Sequence, residues 1–256
     1  MVHPTALVDP GAELADGVQV GPNCVVGPRV ILGPDCRLDA HVVLQGPTTV
    51  GPGCHFYPFS SIGSDPQDVK YEGEETRLEI GSSNRIREFV TVNRGTAGGG
   101  GVTRIGDSNL LMAYSHVAHD CQVGNRVIMA NAATLAGHVA IEDDATVGAF
   151  SGVHQFCRIG REAFIGGYSV VTRDALPFVK TVGNRARTFG INTLGLQRKG
   201  YPAATIEALQ SAYRILFRSK LSREEALQRL EGELAGVSEV REMVAFIRSS
   251  QRGVVR

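Results

Sequence analysis

Histidines are the first candidates for chemistry in this chain. Four of the seven, His116, His119, His138 and His154, fall within 39 residues of one another. An unperturbed imidazole titrates near about pH 6.5, so it can take a proton from a hydroxyl group at neutral pH, and it is also a common zinc ligand. Histidines can equally hydrogen-bond between turns of a fold. The cluster leaves three interpretations open: general-base catalysis, a metal site, or a structural role.

A strict repeat of six residues must position these side chains. A large apolar residue occupies every sixth position from Val2 to Ile62, and the series resumes at Ile80 and, after one slip, continues to Val171. An α-helix repeats near 3.6 residues and a simple strand at 2, so neither explains the pattern. Hexapeptide repetition is typical of a parallel β-helix, in which short strands wind around one core. The sequence predicts a mainly β fold, with a β-helix over approximately residues 1–185.

The repeat also predicts which residues become neighbours. If three hexapeptides make one turn, residues 18 apart stack on successive rungs, which lie about 4.8 Å apart. His119, Gly137 and Gln155 then form one column. Asp120 comes next to His119, and His138 comes next to Gly137. Because adjacent residues of a strand point to opposite faces, strand geometry alone argues against a contact between Asp120 and His119.

Two segments interrupt the repeat. Residues 63–79 are long and polar, and residues 93–104 are rich in glycine. Long loops within a compact domain are uncommon and tend to be functional. We expect both segments to be thrown outward from the β-helix, and the first to contact a substrate.

The C-terminal region has a different pattern. Residues 175–201 contain a proline and several glycines and predict a linker. Beyond Pro202 apolar residues follow one another at three- and four-residue steps, and Ser222 with Glu225 matches a capping box at the start of a helix. Residues 186–256 are therefore expected to form a linker and an α-helical domain.

Composition excludes some classes of protein. Lysine plus arginine and aspartate plus glutamate both number 26, so the net charge is zero and overall charge does not favour a nucleic-acid binder. No secretory leader and no apolar run near about 18 residues is visible, which indicates no membrane span and favours the cytoplasm. Each of the five cysteines takes the place of a small inward-packing residue, which argues against a disulfide framework and a cysteine nucleophile.

Longer motifs carry a family resemblance. The stretch HVAHDCQVGNRVIMANAATLAGHV, residues 116–139, and VHQFC, residues 153–157, closely resemble the bacterial UDP-N-acetylglucosamine O-acyltransferases, which begin lipid A synthesis. QDVKYEGEETR, RIREFVTVNRGT and FGINTLGLQRKG extend the resemblance over nearly the whole chain. It implies a left-handed β-helix, a homotrimer with active sites between subunits, and transfer of an (R)-3-hydroxyacyl chain from acyl carrier protein to the 3-hydroxyl of UDP-N-acetylglucosamine. It implies no metal, no cofactor and no covalent acyl-enzyme.

The same resemblance assigns the reaction to three positions. His119 matches the general base that deprotonates the sugar hydroxyl. The backbone N–H of Gly137 matches the donor to the oxyanion of the tetrahedral intermediate, which needs a fixed donor. Asp120 matches a residue that orients or polarises the histidine.

Other positions match residues that bind substrates. Asp68 and Lys70 match loop residues that contact the sugar and the acyl-donor region. Asn192 and Arg198 match binders of the nucleotide or its phosphates, and arginine suits phosphate through its planar fork. Gly167 matches a position that gauges the length of the acyl chain, where glycine would admit a longer chain. The residues that match the lining of the nucleotide-sugar and acyl pocket are His116, His138, His154 and Gln155.

Two departures and three alternatives accompany the resemblance. Leu194 stands where many members carry an acidic residue, and Lys199 stands where many carry a second arginine. The sister N-acyltransferases usually have a uridine-binding domain before the β-helix, whereas hexapeptides here begin at Val2. A zinc-dependent β-helix carbonic anhydrase would use three histidines from two subunits. A non-catalytic scaffold is the third alternative.

Overall fold

A computed structural model describes all 256 residues. Short strands wind around one axis and stack into three parallel sheets. The strands of sheet 1 are Leu7–Val8, Val25–Val26, Val43–Leu44, Ser61–Ser64, Thr91–Asn93, His116–Val117, Thr134–Leu135, Gly152–Val153 and Val170–Val171. Those of sheet 2 are Glu13–Leu14, Val30–Leu32, Thr48–Val50, Arg77–Ile80, Val102–Ile105, Gln122–Val123, Ala140–Ile141 and Arg158–Ile159. Those of sheet 3 are Gln19–Val20, Arg37–Leu38, His55–Phe56, Arg85–Ile86, Leu110–Leu111, Ile128–Met129, Thr146–Val147, Phe164–Ile165, Val179–Val182 and Arg187–Ile191.

The strand register follows the hexapeptide repeat. In the uninterrupted coils each residue pairs with the residue 18 positions on, as Leu110 does with Ile128. The repeat's apolar residues are buried on every rung from Val20 to Val171, because they point to the axis, whereas Val2 at the open end is 46% exposed. The predicted β-helix is confirmed, and its core is the column of these side chains.

The chain turns at three corners per rung, named here by the sheets they join. The 1–2 corner contains His119 and Asp120, the 2–3 corner contains Glu162, and the 3–1 corner contains Gly167. One residue in nearly every corner has a positive φ, as Asp120 does at 61°. The left-handed conformation turns the chain sharply and ends the alternation of side chains that a strand imposes.

Both outward loops leave the β-helix at the 1–2 corner. Residues 65–76 join Ser61–Ser64 to Arg77–Ile80. On the next rung, residues 94–101 join Thr91–Asn93 to Val102–Ile105 and contain the 3-10 turn Ala97–Gly99. Both loops are shorter than the repeat suggested, because the flanking residues continue the strands.

The second loop holds the first in place. The guanidinium of Arg94 is largely buried and donates to the Gly63 carbonyl at 2.6 Å and to the Tyr71 hydroxyl at 3.1 Å. It also pairs with the carboxylate of Asp65. Because Asp65 and Tyr71 belong to the first loop, these bonds fix its base against the second.

The C-terminal residues cover the end of the β-helix. Val179–Val182 pairs in parallel with Phe164–Ile165, and Arg187–Ile191 returns antiparallel to it. The region 175–201, for which proline and glycine suggested a linker, therefore contains two strands and a short helix. Leu176, Phe178 and Val179 pack with the apolar faces of the helices in a second core. The helices are α1 (Thr193–Arg198), α2 (Ala203–Arg218), α3 (Arg223–Glu233) and α4 (Ser238–Arg248).

Local predictions for this region and for the cysteines hold. The Glu225 N–H donates to Ser222 Oγ at 3.3 Å and the Ser222 N–H donates to Glu225 Oε2 at 2.7 Å, so the capping box is confirmed. All five cysteines are buried and free. None of the helices is both long and apolar enough to cross a membrane.

Candidate active site at the 1–2 corner

His119, Gly137 and Gln155 occupy the same place on three successive rungs of the 1–2 corner. The N–H of His138 donates to the His119 carbonyl at 3.0 Å, and the N–H of Phe156 donates to the Gly137 carbonyl at 3.2 Å. The predicted column is confirmed. The His119 side chain remains 14% exposed, so a substrate can reach it.

His119 and Asp120 form a hydrogen-bonded pair. Nδ1 of His119 lies 2.7 Å from Oδ2 of Asp120, and the carboxylate is fully buried. The expectation that strand alternation would separate these neighbours is wrong, because they lie in a corner and not in a strand. A carboxylate only accepts hydrogen bonds, so Nδ1 carries the hydrogen and Nε2 keeps its lone pair. Such an imidazole can accept a proton at Nε2.

Gly137 lies directly against the His119 ring. A Cβ on Gly137 would come within 2.5 Å of Cε1 and 2.7 Å of Nε2 of His119. The Gly137 N–H makes no hydrogen bond within the chain. A backbone donor with no partner in the chain therefore belongs to a residue that touches the imidazole, and a fixed donor of this kind is able to stabilise an oxyanion.

Two further histidines next to this pair are held neutral at pH 7. Burial lowers the pKa of His116, and the neighbouring His119 adds to the shift. The Thr91 hydroxyl lies 2.7 Å from Nδ1 of His116 and orients that ring. Burial also lowers the pKa of His138, against the Asp120 carboxylate, which raises it. The His138 ring meets the His119 ring edge to face with centroids 5.2 Å apart.

The same residues bear on the metal interpretation. His119, Asp120 and His138 each offer a donor atom, and these atoms lie within 4.8 Å of one another. Both oxygens of Asp120, however, already accept hydrogen bonds, from His119 and from Thr96. The carboxylate is thus engaged in orienting an imidazole.

The first loop extends along this corner toward the histidines. The charge of Asp68 opposes the lowering of the His138 pKa by burial, so this carboxylate lies close enough to interact electrostatically with His138. Asp68 Oδ1 accepts the Lys70 N–H at 3.0 Å, and the Lys70 side chain is exposed. His154 and Gln155 are exposed one rung beyond Gly137. Asp68 and Lys70 thus belong to the loop that leaves this corner, and His154 and Gln155 lie on the corner itself.

Three of the predicted residues lie elsewhere on the chain. Gly167 is exposed at the 3–1 corner. Asn192 donates through its side chain to the Glu162 carbonyl at 3.1 Å, so Asn192 and the adjoining helix with Arg198 lie over the 2–3 corner. One chain does not bring these residues to His119.

The departure at position 199 has a structural partner. Nζ of Lys199 lies 3.0 Å from the Asp144 carboxylate and 2.9 Å from the Glu162 carboxylate. Both carboxylates belong to the 2–3 corner. Lys199 therefore ties α1 to the β-helix. Leu194 is exposed on the same helix.

Thr96 is a site residue that sequence reasoning missed. It lies at the end of the motif RIREFVTVNRGT, and it contacts Asp120 across 24 positions of the chain. The stacking rule of 18 fails here because the loop lengthens the coil. The pairing of Thr91 with His116 gives an approximate signal: five residues on from each are Thr96 and Cys121, so Thr96 falls within one position of Asp120.

Comparisons with known proteins show the family to which the whole chain is similar. A family model described as UDP N-acetylglucosamine O-acyltransferase, domain 2, matches residues 174–255, and one described as bacterial transferase hexapeptide matches residues 103–137. An acyl-acyl-carrier-protein–UDP-N-acetylglucosamine O-acyltransferase from Myxococcus xanthus is 50% identical over 255 residues, which is 100% of this chain and 99% of that protein. One from Thermodesulfovibrio yellowstonii is 48% identical with the same coverage.

Solved structures are similar over the whole length of the chain. The UDP-N-acetylglucosamine acyltransferase of Bacteroides fragilis has a TM-score of 0.98 at 38% identity and 100% coverage of both chains. The O-acyltransferase of Moraxella catarrhalis has a TM-score of 0.96 at 43% identity, with 100% of this chain and 99% of that chain covered.

Proposed function

This chain belongs to the acyl-acyl-carrier-protein–UDP-N-acetylglucosamine O-acyltransferase family, and we propose that it transfers an (R)-3-hydroxyacyl chain from acyl carrier protein to the 3-hydroxyl of UDP-N-acetylglucosamine. This is the first step of lipid A biosynthesis. The observation that carries the proposed mechanism is the His119–Asp120 pair, with Nδ1 and Oδ2 2.7 Å apart, beside the free N–H of Gly137.

In the proposed reaction Nε2 of His119 takes the proton of the sugar hydroxyl. The hydroxyl oxygen attacks the carbonyl carbon of the acyl thioester, and the Gly137 N–H stabilises the oxyanion that forms. Asp120 stabilises the imidazolium while it lasts. When the tetrahedral intermediate collapses, the bond from carbon to sulfur breaks, and His119 returns the proton to the sulfur of the carrier protein. No acyl-enzyme forms.

The neighbouring residues are proposed to bind the substrates. Asp68 and Lys70, in the first loop, would contact the sugar and the acyl-donor region. His116 and His138, next to the base, would line the nucleotide-sugar and acyl pocket. Burial lowers the pKa of His116 and of His138. Each neutral ring can therefore donate one hydrogen bond and accept another, and it adds no positive charge beside His119. His154 and Gln155 would continue this lining on the next rung.

A homotrimer would complete the site. His119, Gly167 and Arg198 lie at three different corners of one β-helix, so a single copy cannot surround one substrate with all of them. In a cyclic arrangement of parallel β-helices, a corner of one copy faces another corner of the next. We infer that Gly167 and Arg198 of one subunit contribute to the active site that contains His119 of a different subunit.

The 3–1 corner has the apolar surface that such packing needs. Its exposed rings stack along the axis, with centroids 5.1 Å apart for Phe59 and Phe89 and 4.8 Å apart for Phe89 and Tyr114. Phe150 and Tyr168 continue the series beside Gly167. Contiguous exposed apolar surface of this kind is typical of interfaces. The five free cysteines are consistent with a reducing compartment, and we place the reaction in the cytoplasm.

The test is an acylation assay on metal-free protein. Purified protein is incubated with UDP-N-acetylglucosamine and a series of 3-hydroxyacyl carrier-protein thioesters, beside His119→Ala, and acylated sugar is measured. We expect product from the parent, a loss of about 10²–10⁴-fold in the variant, and unchanged thermal unfolding. Absence of product with every donor would contradict the proposal. The diamino analogue of the sugar and zinc analysis would then be the next measurements.

A further inference from the structure

The carboxylate of Asp120 accepts hydrogen bonds from one residue besides His119. It is fully buried, and no arginine or lysine pairs with it. The Thr96 N–H donates to Oδ1 at 2.9 Å, and the Thr96 hydroxyl lies 2.7 Å from Oδ2. A buried carboxylate is strongly unfavourable unless its oxygens are hydrogen-bonded, so these two donors stabilise it and hold it in place.

The direction of the Thr96 hydroxyl is fixed by the second loop. Thr96 caps the turn Ala97–Gly99, and its Oγ1 accepts the Gly99 N–H at 3.1 Å. A hydroxyl has one hydrogen to donate, and here the nearest other acceptor is Asp120. Gly99 lies flat against the carboxylate, where any Cβ would overlap it. The turn thus directs the N–H and the hydroxyl of Thr96 toward the Asp120 carboxylate.

We propose that Thr96 is a positioning residue for the general base. Its two donors hold the Asp120 carboxylate in the orientation in which Oδ2 accepts the hydrogen of His119 Nδ1, and this keeps the Nε2 lone pair directed out beside Gly137. The inference rests on the function proposed above. It gives the second outward loop an indirect part in catalysis, through Asp120 and His119, without contact with the substrate.

The same loop segment also holds the substrate loop. Arg94, two residues before Thr96, binds the Gly63 carbonyl and the Tyr71 hydroxyl at the base of the first loop. Residues 94–96 therefore connect the loop that bears Asp68 to the carboxylate that orients His119. The position of the base and the position of the substrate loop are set by one short segment.

A purely structural role for Thr96 predicts a different result. If Thr96 only capped its turn, a substitution would lower thermal stability but leave kcat of the folded protein and its pH profile unchanged. Loss of a positioning hydrogen bond changes kcat more than KM. It also removes positive density from the carboxylate, which strengthens its attraction for the protonated imidazole. The acidic limb of the kcat/KM profile then moves to higher pH.

The experiment compares Thr96→Val, which keeps the shape and removes the hydroxyl, with Thr96→Ser, which restores it. Thr5→Val is the matched control, because the Thr5 hydroxyl also caps a corner, accepting the Asn23 N–H at 3.0 Å, but lies far from the site. The kcat and KM for UDP-N-acetylglucosamine are measured from pH 5.5 to 9 with a 3-hydroxyacyl carrier-protein donor. Thermal unfolding of all variants is recorded.

We expect Thr96→Val to lower kcat about 10- to 100-fold, the range for one hydrogen bond to a charged group, with KM changed less than about threefold. Its acidic limb moves to higher pH, and Thr96→Ser stays within about threefold of the parent. Full activity of Thr96→Val, or a loss that Thr96→Ser does not restore, overturns the proposal.

A variant that does not fold and a parent protein that is inactive have different consequences for the proposal. If Thr96→Val does not fold, Thr96→Ala and Thr96→Ser decide the question by the same kcat and pH readouts, because neither adds bulk against Asp120. If the parent protein and Thr5→Val make no acylated sugar, the proposed function fails and this inference with it. An active parent with an inactive His119→Ala and a fully active Thr96→Val overturns the role of Thr96 alone.

Discussion

The imidazole of His119 fills the space in which a side chain at Gly137 would begin. The ring atoms Cε1 and Nε2 of His119 lie 2.5 and 2.7 Å from the position of a Cβ on Gly137, closer than real Cβ atoms approach a neighbour. The two residues are on adjacent rungs, so the glycine on one rung makes room for the base on the other. The same contact brings the backbone of Gly137 against the His119 ring, where the proposed reaction places the thioester carbonyl.

Gly137→Ala is therefore expected to displace the His119 ring. We predict a loss of kcat of about 10²-fold, because a misplacement of about 1 Å at a reacting group has that effect. Stability should fall much less, since His119 is partly exposed and can rotate outward. Steady-state kinetics and thermal unfolding check both statements. Gly232→Ala is the control, because a Cβ there meets nothing within 4 Å and the residue lies in α3. Equal activity of Gly137→Ala and the parent would contradict the prediction that the contact with Gly137 sets the position of the His119 ring.

Gly167→Met should shift the preference toward shorter acyl chains. Gly167 is exposed at the 3–1 corner, its φ is not positive, and its Cβ would meet only the Ala149 backbone, with the carbonyl oxygen at 3.2 Å and the nitrogen at 3.9 Å. A side chain therefore requires a shift of a few tenths of an ångström at Ala149, and it would project from the corner into the space proposed for the acyl group. Relative kcat/KM values for donors of different length measure the effect, and Gly167→Ala should lie between the parent and Gly167→Met. Unchanged selectivity in both variants would remove Gly167 as the gauge.

The fold could be predicted because the hexapeptide signal is redundant. Every rung places a large apolar residue at the same inward positions, so the strand register, the number of sheets and the core residues follow from counting. The buried series from Val20 to Val171 has no exception. The C-terminal strands were missed because the repeat ends before them. Val179–Val182 joins sheet 3 by backbone pairing outside the six-residue repeat, with Pro177 and Gly183 next to it, which also suit a linker.

The site was predictable in part, for a physical reason. His119 beside Gly137 follows from the period of 18 residues. The Asp120 contact does not, because it depends on a left-handed corner conformation that a strand pattern cannot indicate. Thr96 depends on the length of a loop, and the pairing of Lys199 with Asp144 and Glu162 depends on how α1 lies on the 2–3 corner. Local periodicity predicts neighbours within the β-helix and is silent about what lies against it.

Unfolding free energy should fall as the pH falls below about 6.5, with His116 as one cause. Burial lowers the pKa of His116 in the folded chain, so the unfolded chain binds more protons between that lowered pKa and about pH 6.5. The contribution of His116 is therefore complete above about pH 6.5 and is lost below it, by at most about 1.4 kcal/mol per pH unit. Burial raises the pKa of Glu142 and Glu162, which gives the opposite sign.

His116→Asn isolates this term, because asparagine keeps a polar group near Nδ1 for the Thr91 hydroxyl but does not titrate. Urea unfolding of both proteins is measured from pH 5 to 8 at one protein concentration. The contributions of Glu142 and Glu162 are common to both proteins and cancel in the difference. We expect the parent to lose its advantage over His116→Asn as the pH falls from 7 to 5. A difference that stays constant with pH would contradict the assignment.

Mixed assemblies should reveal that the site is shared between chains. His119 lies at the 1–2 corner and Arg198 on the helix over the 2–3 corner, so a site between two copies can take each residue from a different chain. His119→Ala and Arg198→Ala proteins should each have little activity at low UDP-N-acetylglucosamine. When they are co-expressed with different tags and purified as mixed oligomers, about a quarter of the interfaces pair an intact His119 with an intact Arg198, and activity should return to that fraction. If mixed oligomers form but remain as inactive as the separate variants, both residues act within one chain, and the proposed intersubunit site is wrong.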